Sequence, residues 1–465
     1  MEGQNKELNQ YKRAYFIGAG GIGMANLERF LLKEGFKVAG YDRTSSELTS
    51  NLEKEGVVLT FQDHVDEIPD EFRNPEDTLV VFTPAIPNDS PILNWFRSKG
   101  FNIVKRSELL GKITRSGKSI CVAGSHGKTT TCSMIANILR DSKVGCNAFL
   151  GGILRNTGNN LVITPQTEWS VIEADEYDRS FHRLSPTIAV VTSVDPDHLD
   201  IYGDEEGYLE GFAHFTSLIK EGGTLLLHTG LKLHPRLKEG VKLMTYSGGK
   251  EGDWHAENIH FGNGTITFTL IGPGIIIEGL EPGVPVEINI DNAVAAAAAA
   301  LLAGATTEEV KKGLREFRGA KRRFEILLDG KNNTTALLDD YAHSPNEVKA
   351  SICSVKRLYP GRKLTVIFQP HLYSRTRDFA TEFSKALSEA DEVIMPEIYP
   401  ARELPIPGVD SNLILRNVKC GSKEYCERKD LLNLIKKRKF DVVMTLGAAD
   451  IDVLLPEITE ILKGR

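Results

Sequence analysis

Apolar and polar positions along this chain repeat one figure. A short apolar run is followed by a glycine-rich or polar turn, then by apolar residues spaced three and four apart. The run is the pattern of a buried strand and the spacing that of an amphipathic helix. Residues 14–17 predict a strand, and Met24, Leu27 and Leu31 the face of the next helix. The apolar run recurs at 37–41 and 78–82, and Val104 lies near the end of another. It recurs at 120–123, followed by a helix face of Met134, Ile135, Ile138 and Leu139, and again at 169–173 and 187–194. A last set runs through 335–338, 364–368, 392–395 and 442–446, with a helix marked by Val348, Ile352 and Val355. Strands alternating with helices predict parallel sheets covered on both faces. Two stretches depart from the figure. Residues 225–228 and 262–278 are rich in β-branched residues, glycine and turn signals, and predict antiparallel strands. Residues 291–303 predict an alanine-rich helix able to pack closely on a sheet.

The fold class is α/β. A length of 465 residues suggests about three domains of roughly 150 residues. The pattern divides them at 1–113, 114–320 and 321–465. The first is a Rossmann-like domain, the second a P-loop ATPase-type, mostly parallel sheet with an added antiparallel part, the third again Rossmann-like. The Gly-Ala-Lys-Arg-Arg-Phe run at 319–324 predicts a hinge between the second and third. The net charge of −7 argues against a nucleic-acid partner, which would need a basic face. The longest apolar run, 293–303, is far below the roughly 18 residues of a membrane span. The first residues are polar, without the apolar core of a signal peptide. The six cysteines have neither CxxC nor zinc spacing, so the chain is expected to be cytoplasmic, with free thiols.

The chemistry collects at strand ends. Residues 119–137 read SICVAGSHGKTTTCSMIAN. The turn Gly124-Ser125-His126-Gly127 leads into Lys128-Thr129-Thr130 at a helix start. Such a turn lets backbone N–H groups crowd a phosphate, the helix N-terminus adds partial positive charge, and the lysine reaches the outer phosphates. Thr129 is placed to hold Mg²⁺. The spacing is shorter than the common P-loop, which would have a glycine where Val122 stands. Earlier, Gly18, Gly20, Gly21 and Gly23 form a G-x-G-x-x-G turn, with Asp42 at the distance of a ribose contact. That turn fits a dinucleotide or the pyrophosphate of a UDP-sugar. Strand 169–173 runs into Glu173-Ala174-Asp175-Glu176-Tyr177-Asp178, and strand 187–194 into Asp195-Pro196-Asp197-His198-Leu199-Asp200. Glu173 and His198 are thereby expected beside Lys128, as oxygen and nitrogen ligands of a phosphate-bound Mg²⁺.

Together these motifs resemble the Mur ligase family of peptidoglycan synthesis over the whole chain. The matching runs are GAGGIGM at 18–24, AGSHGKTTT at 123–131, EADEYD at 173–178, DPDHLD at 195–200, KRRFE at 321–325, DDYAHSP at 339–345, FQPHLYSRTRD at 368–378 and GAAD at 447–450. The resemblance implies an ATP- and Mg²⁺-dependent ligase of the alanine-adding branch. It would join L-alanine to the lactyl carboxylate of UDP-N-acetylmuramate through an acyl phosphate, and act as a monomer or weak homodimer. It implies that Gly124, Ser125, His126, Gly127, Lys128, Thr129 and Thr130 hold ATP phosphates, with Lys128 on the β- and γ-phosphates. Thr129 and Glu173 would bind one Mg²⁺, and His198 a second shared with the sugar carboxylate. Arg323 would reach the γ-phosphate and Asp340 the ribose. Tyr341, His343, His371 and Arg375 would frame the alanine and the muramoyl group. Gly18, Gly20, Gly21 and Gly23, with Asp42, would hold the UDP moiety.

Three positions depart from the family pattern. Its His-Asn-x-x-Asn reads Asp291-Asn292-Ala293-Val294-Ala295, so Asn292 remains as an ATP contact while Ala295 replaces an adenine contact. Leu372 stands where many relatives carry arginine, and Phe212 where sibling ligases carry a carbamylated lysine. Two rival activities share parts of the pattern: a murein-recycling ligase adding a tripeptide to the same sugar, and an NAD-dependent oxidoreductase built on residues 14–42. The second leaves the Lys128 turn without a task.

Overall fold

The computed structural model describes residues 8, 10–83, 85–196, 199–262, 265–330, 334–401 and 403–464. It divides into two compact units. One comprises Met1–Glu257, Leu270–Ile277 and Asp291–Glu316, the other Asn258–Thr269, Glu278–Ile290 and Phe317–Arg465.

The first unit begins with a five-stranded sheet of β1 (Arg13–Ile17), β2 (Lys37–Tyr41), β3 (Val58–Thr60), β4 (Thr78–Phe82) and β5 (Asn102–Lys105), in the order β3-β2-β1-β4-β5. All neighbours run parallel. Strands covered on both faces read as unbroken apolar runs, and Tyr15, Phe16 and Ile17 of the central strand are fully buried.

A ten-stranded sheet follows, of β6 (Lys118–Ala123), β7 (Asn147–Leu154), β8 (Asn159–Ile163), β9 (Trp169–Glu173), β10 (Ile188–Val191), β11 (Thr224–His228), β12 (Lys242–Ser247), β13 (Trp254–Gly262), β14 (Thr265–Gly272) and β15 (Ile275–Leu280). Its order is β15-β14-β13-β12-β11-β10-β6-β9-β7-β8. β6 lies between β9 and β10, parallel to both, so these strands end at one edge. β7 and β8 form an antiparallel hairpin at the margin. The expectation that 225–228 is antiparallel is corrected: β11 runs parallel to β10 and β12. Local composition does not encode pairing direction. The helix Glu205–Ser217 makes the crossover between β10 and β11, and a crossover returns the chain in the same direction. The alanine-rich helix, Ile288–Ala303, starts one turn earlier than expected, and Ala293 and Ala300 are among its fully buried residues. The helix Thr307–Glu316 packs closely on Lys128–Arg140: a Cβ at Gly313 would lie 2.6 Å from the Ile138 Cα.

The second unit holds a six-stranded sheet of β16 (Glu325–Asp329), β17 (Ala336–Asp340), β18 (Leu364–Phe368), β19 (Glu392–Met395), β20 (Ser422–Tyr425) and β21 (Val442–Leu446), in the order β16-β17-β21-β18-β19-β20. Only β16 pairs antiparallel among the described neighbours. Just before it, Gly319, Arg322 and Phe324 have φ of 83°, 59° and 47°. Left-handed backbone at two non-glycine residues marks this junction as a strained bend. No described helix is long and apolar enough to cross a membrane.

Candidate active site

Two glycine turns stand at strand ends in the first unit. In the earlier one, Gly18 has φ 91° and Gly21 caps the helix Ile22–Lys33 without any side-chain hydrogen bond. Some helices are capped by side chains, with Ser46, Asp204 and Ser344 each accepting a backbone N–H, while others, such as Arg428–Lys437 and Leu455–Leu462, are not. Leaving the first N–H groups of a helix uncapped keeps them open to an anion. Asp42 accepts the Gly20 N–H at 2.6 Å and the Thr44 N–H at 3.0 Å. The carboxylate expected to meet a ribose therefore also shapes the turn.

The second turn follows β6. Gly124 (φ 146°) and Gly127 (φ 83°) occupy backbone regions that favour glycine. Gly127 caps the helix Lys128–Arg140, again with no side-chain hydrogen bond. Space is also tight: a Cβ on Gly124 would meet the Thr192 Oγ1 at 2.1 Å, and one on Gly127 the Asn292 Oδ1 at 2.9 Å. Asn292 accepts the Thr131 hydroxyl at 3.1 Å, which sets it beside the turn. Residues just beyond β10 brace the loop: Ser193 Oγ accepts the His126 N–H at 2.7 Å, and Thr192 donates its hydroxyl to the His126 carbonyl. Ser125 donates to the Asp195 carbonyl and lies 3.0 Å from the Tyr208 hydroxyl. His126 is exposed, and Thr130 sits half-buried in the first helical turn.

Lys128 donates to the Gly124 carbonyl and, at 2.8 Å, to Glu176. Thr129 donates its hydroxyl to Glu173 at 2.8 Å, and the other Glu173 oxygen accepts the Gly151 N–H at 2.9 Å. Lys128, Thr129 and Glu173 thus meet at one sheet edge. Burial raises the Glu176 carboxyl above its ordinary range, with the lysine charge pulling it down. Asp197 and His198 lie outside the described residues. Thr129 and Glu173 are hard oxygen donors of the kind Mg²⁺ takes, and among the described residues no group of three or more His, Cys, Asp or Glu could hold a metal. Mg²⁺ commonly uses one or two protein ligands, with water and substrate phosphate completing the shell, so this partial set fits it. Burial pushes the thiols of Cys121 on β6 and of Cys146 before β7 up to about 12, which makes them unreactive.

One cleft runs from the first turn to Glu173. Gly23 and Asn26 line it from the helix Ile22–Lys33, Arg106 and Ser107 from the start of the helix Arg106–Ser116, and Gly151 and Glu173 from β7 and β9, with Ser180. A Cβ on Gly23 would lie 2.5 Å from the Arg106 guanidinium. Asn26 is buried, its amide bonds the Asn160 carbonyl at 3.1 Å, and its Oδ1 has no hydrogen-bond partner among the described residues. Sequence reasoning missed Arg106 and Asn26 as cleft residues, and Glu176 as the lysine's partner. It also passed over Thr192 and Ser193, which lie inside the expected strand 187–194 but fall beyond β10, since that strand ends at Val191.

In the second unit, β17 ends at Asp340, which accepts the Ser351 hydroxyl and, at 3.3 Å, the Phe324 N–H. The Tyr341 ring lies under two guanidiniums, Arg322 at 5.1 Å and Arg323 at 5.2 Å. Arg322 is an anchor: it bonds Asp339 at 3.2 Å, the Ala449 carbonyl at 3.0 Å and the Gly447 carbonyl. His343 lies 5.3 Å from the Tyr341 ring, and burial lowers its proton affinity, with Arg375 and Arg323 adding to the effect. His371 stacks on Tyr399 at 5.9 Å. Leu372, with φ 70°, opens the short helix Tyr373–Asp378 that carries Arg375. The structure thus gathers Arg323, Tyr341, His343 and Arg375, with Asp340 beside them and His371 at the end of another strand.

Family models match in three consecutive blocks: Mur ligase family, catalytic domain at 13–118, Mur ligase middle domain at 122–300, and Mur ligase, glutamate ligase domain at 322–449. A UDP-N-acetylmuramate–L-alanine ligase of Phocaeicola vulgatus is 52% identical over 99% of this chain and 100% of its own length. One from Porphyromonas gingivalis is 49% identical over 97% of this chain and 99% of its own. The crystal structure of UDP-N-acetylmuramate-alanine ligase MurC from Thermotoga maritima matches with a TM-score of 0.75 at 27% identity, covering 96% and 98% of the two chains. A murein peptide ligase from Psychrobacter arcticus shares the fold, with a TM-score of 0.60 at 20% identity over 98% and 99%. The chain belongs to the Mur ligase family.

Proposed function

We propose that this protein is an ADP-forming ligase that joins L-alanine to the lactyl carboxylate of UDP-N-acetylmuramate in peptidoglycan precursor synthesis. The observation that carries this reading is the cleft lined by both Gly23 and Glu173. It runs from Gly23, in the turn suited to a UDP pyrophosphate, to Glu173, which accepts the Thr129 hydroxyl beside the turn suited to a triphosphate. Relatives that span nearly the whole chain and carry that activity in their names support it.

The physical problem is to bring a carboxylate to the γ-phosphate of ATP against charge repulsion. Backbone N–H groups of the 124–127 turn and the Lys128 ammonium gather the phosphates at fixed positions, so little reorganisation remains when charge shifts. Mg²⁺ held by Thr129 and Glu173, with a second ion at His198, would neutralise charge between carboxylate and triphosphate. The N–H groups of Gly18 to Gly23 anchor the sugar nucleotide, and Asn292 and Asp340 orient the ATP. Arg323 meets the γ-phosphate. The carboxylate oxygen displaces ADP, the alanine amine attacks the resulting acyl phosphate, and phosphate leaves as the amide forms. Tyr341, His343, His371 and Arg375 frame the alanine and the muramoyl group.

These roles divide over three domains, 1–113, 114–320 and 321–465, that close on their ligands. The enzyme works in the cytoplasm as a monomer or weak homodimer. An ADP-release assay with UDP-N-acetylmuramate and a panel of acceptors tests the reading. L-Alanine is expected to drive turnover and the L-Ala-γ-D-Glu-diaminopimelate tripeptide not to. The reverse preference would overturn it.

A further inference from the structure

The turn after β9 is built around one carboxylate. Asp178 and Arg179, neither of them glycine, adopt left-handed backbone with φ of 53° and 55°. Such residues persist only where their surroundings over-determine them. Here the Tyr202 hydroxyl donates to the Glu176 carbonyl at 2.6 Å. The Arg179 guanidinium lies 5.2 Å from the Tyr202 ring, and the Arg179 N–H bonds the Glu176 carbonyl at 3.0 Å. The Phe181 N–H bonds the Asp175 carbonyl at 2.9 Å, which closes the turn.

What this turn presents is a Glu176 side chain only 3% exposed. One oxygen accepts the Lys128 ammonium at 2.8 Å, and the other has no hydrogen-bond partner among the described residues. A half-satisfied buried carboxylate is unfavourable for folding, and an apolar residue of similar volume would serve packing better. The benefit therefore lies with the lysine. An ammonium on a four-carbon stem samples many rotamers unless it is held. Lys128 has three N–H donors, of which one goes to the Gly124 carbonyl and one to Glu176. Both acceptors lie within the turn's own surroundings, so the remaining donor has a fixed direction.

We propose that Glu176 is the positioning residue of the phosphate site, holding the Lys128 ammonium over the glycine turn with one N–H left for an incoming phosphate. It acts through Lys128, and its contribution is preorganisation, since the pair adds no net charge to the site. The inference rests on the assignment of Lys128 to the ATP phosphates.

The test uses the full-length enzyme and ADP release, varying each substrate in turn. Glu176→Gln keeps the shape and an acceptor oxygen but removes the charge. Its kcat/KM for ATP is expected to fall about tenfold or more, the scale of one charge-assisted hydrogen bond, while KM for UDP-N-acetylmuramate and L-alanine holds. Tyr202→Phe keeps the ring under Arg179 and deletes the hydroxyl on the Glu176 carbonyl. It is expected to show a smaller loss, again on ATP alone. Wild-type kcat/KM for ATP in Glu176→Gln would overturn the proposal. So would a raised KM for all three substrates, the mark of a general fold defect. Lys128→Ala run alongside separates the two levels. If it stays active, the phosphate assignment itself fails. If it is inactive beside an unaffected Glu176→Gln, only the role of Glu176 fails.

Discussion

The two glycine turns share a backbone plan and differ in their side chains. Each follows a central parallel strand, each begins with a glycine in the left-handed region, and each leaves its helix uncapped by side chains. The first has no cation in the turn, and its nearest acid, Asp42, is tied into the turn by the Gly20 N–H. The second places Lys128 and Thr129 at the helix start and meets them with Glu176 and Glu173. A backbone device of this kind suits an anion that is held without being acted on. Adding a held ammonium and a hydroxyl–carboxylate pair suits the second turn to a phosphate that must be transferred.

That contrast breaks first at Lys128. Lys128→Ala should lower kcat about 10²-fold or more, the scale of losing one preorganised charge stabiliser, as read by ADP release at saturating substrates. Turnover near wild type would remove the distinction between the turns. The next test is a matched pair. Gly124→Ala puts a Cβ 2.1 Å from the Thr192 Oγ1 at φ 146°, and Gly18→Ala puts one 2.5 Å from the Thr83 Cγ2 at φ 91°. Strain of about 1–3 kcal/mol corresponds to about ten- to a hundredfold. The first variant should lose that in kcat/KM for ATP and the second in kcat/KM for the UDP-sugar. A crossed result would show that the turns have exchanged ligands.

A milder change sharpens the first turn. Asp42→Asn keeps an acceptor for the Gly20 N–H but loses the charge. KM for the UDP-sugar should rise a few-fold, about 1 kcal/mol, with KM for ATP unchanged. The smallest effect concerns the sheet edge farther along. Asp291 accepts His228 at 2.9 Å and raises its proton affinity. A folded-state value raised above the unfolded one gives stability that is complete below about pH 6.5 and fades as pH climbs through the folded value. The melting temperature of the wild type should exceed that of Asp291→Asn by about 1–2 °C at pH 6, with the gap closing at alkaline pH. A gap that widens with pH would reverse the sign.

Much of this architecture was legible in residue order. The strands Lys37–Tyr41, Thr78–Phe82, Trp169–Glu173 and Val442–Leu446 coincide with their apolar runs, because strands buried on both faces must be continuously apolar. Both glycine turns were equally plain, since positive φ and close backbone approach are local demands that glycine meets at low cost. Pairing direction was not. Residues 225–228 look like an antiparallel strand by composition, yet β11 is parallel because of a helix that precedes it in the chain.

The partner of Lys128 illustrates the same division. Residue order put Glu173, Asp175, Glu176 and Asp178 at the end of one strand, but not which acid would meet the lysine. Lys128 and Glu176 are 48 residues apart, and only the parallel pairing of β6 with β9 brings their strand ends together. Arg106 and Asn26 join the cleft in the same way, through packing between two sheets. Backbone conformation and strand character follow from neighbours in sequence, because they depend on sterics and burial within a few residues. Which side chains face one another follows from sheet order and crossover, and those are settled only when distant strands pair.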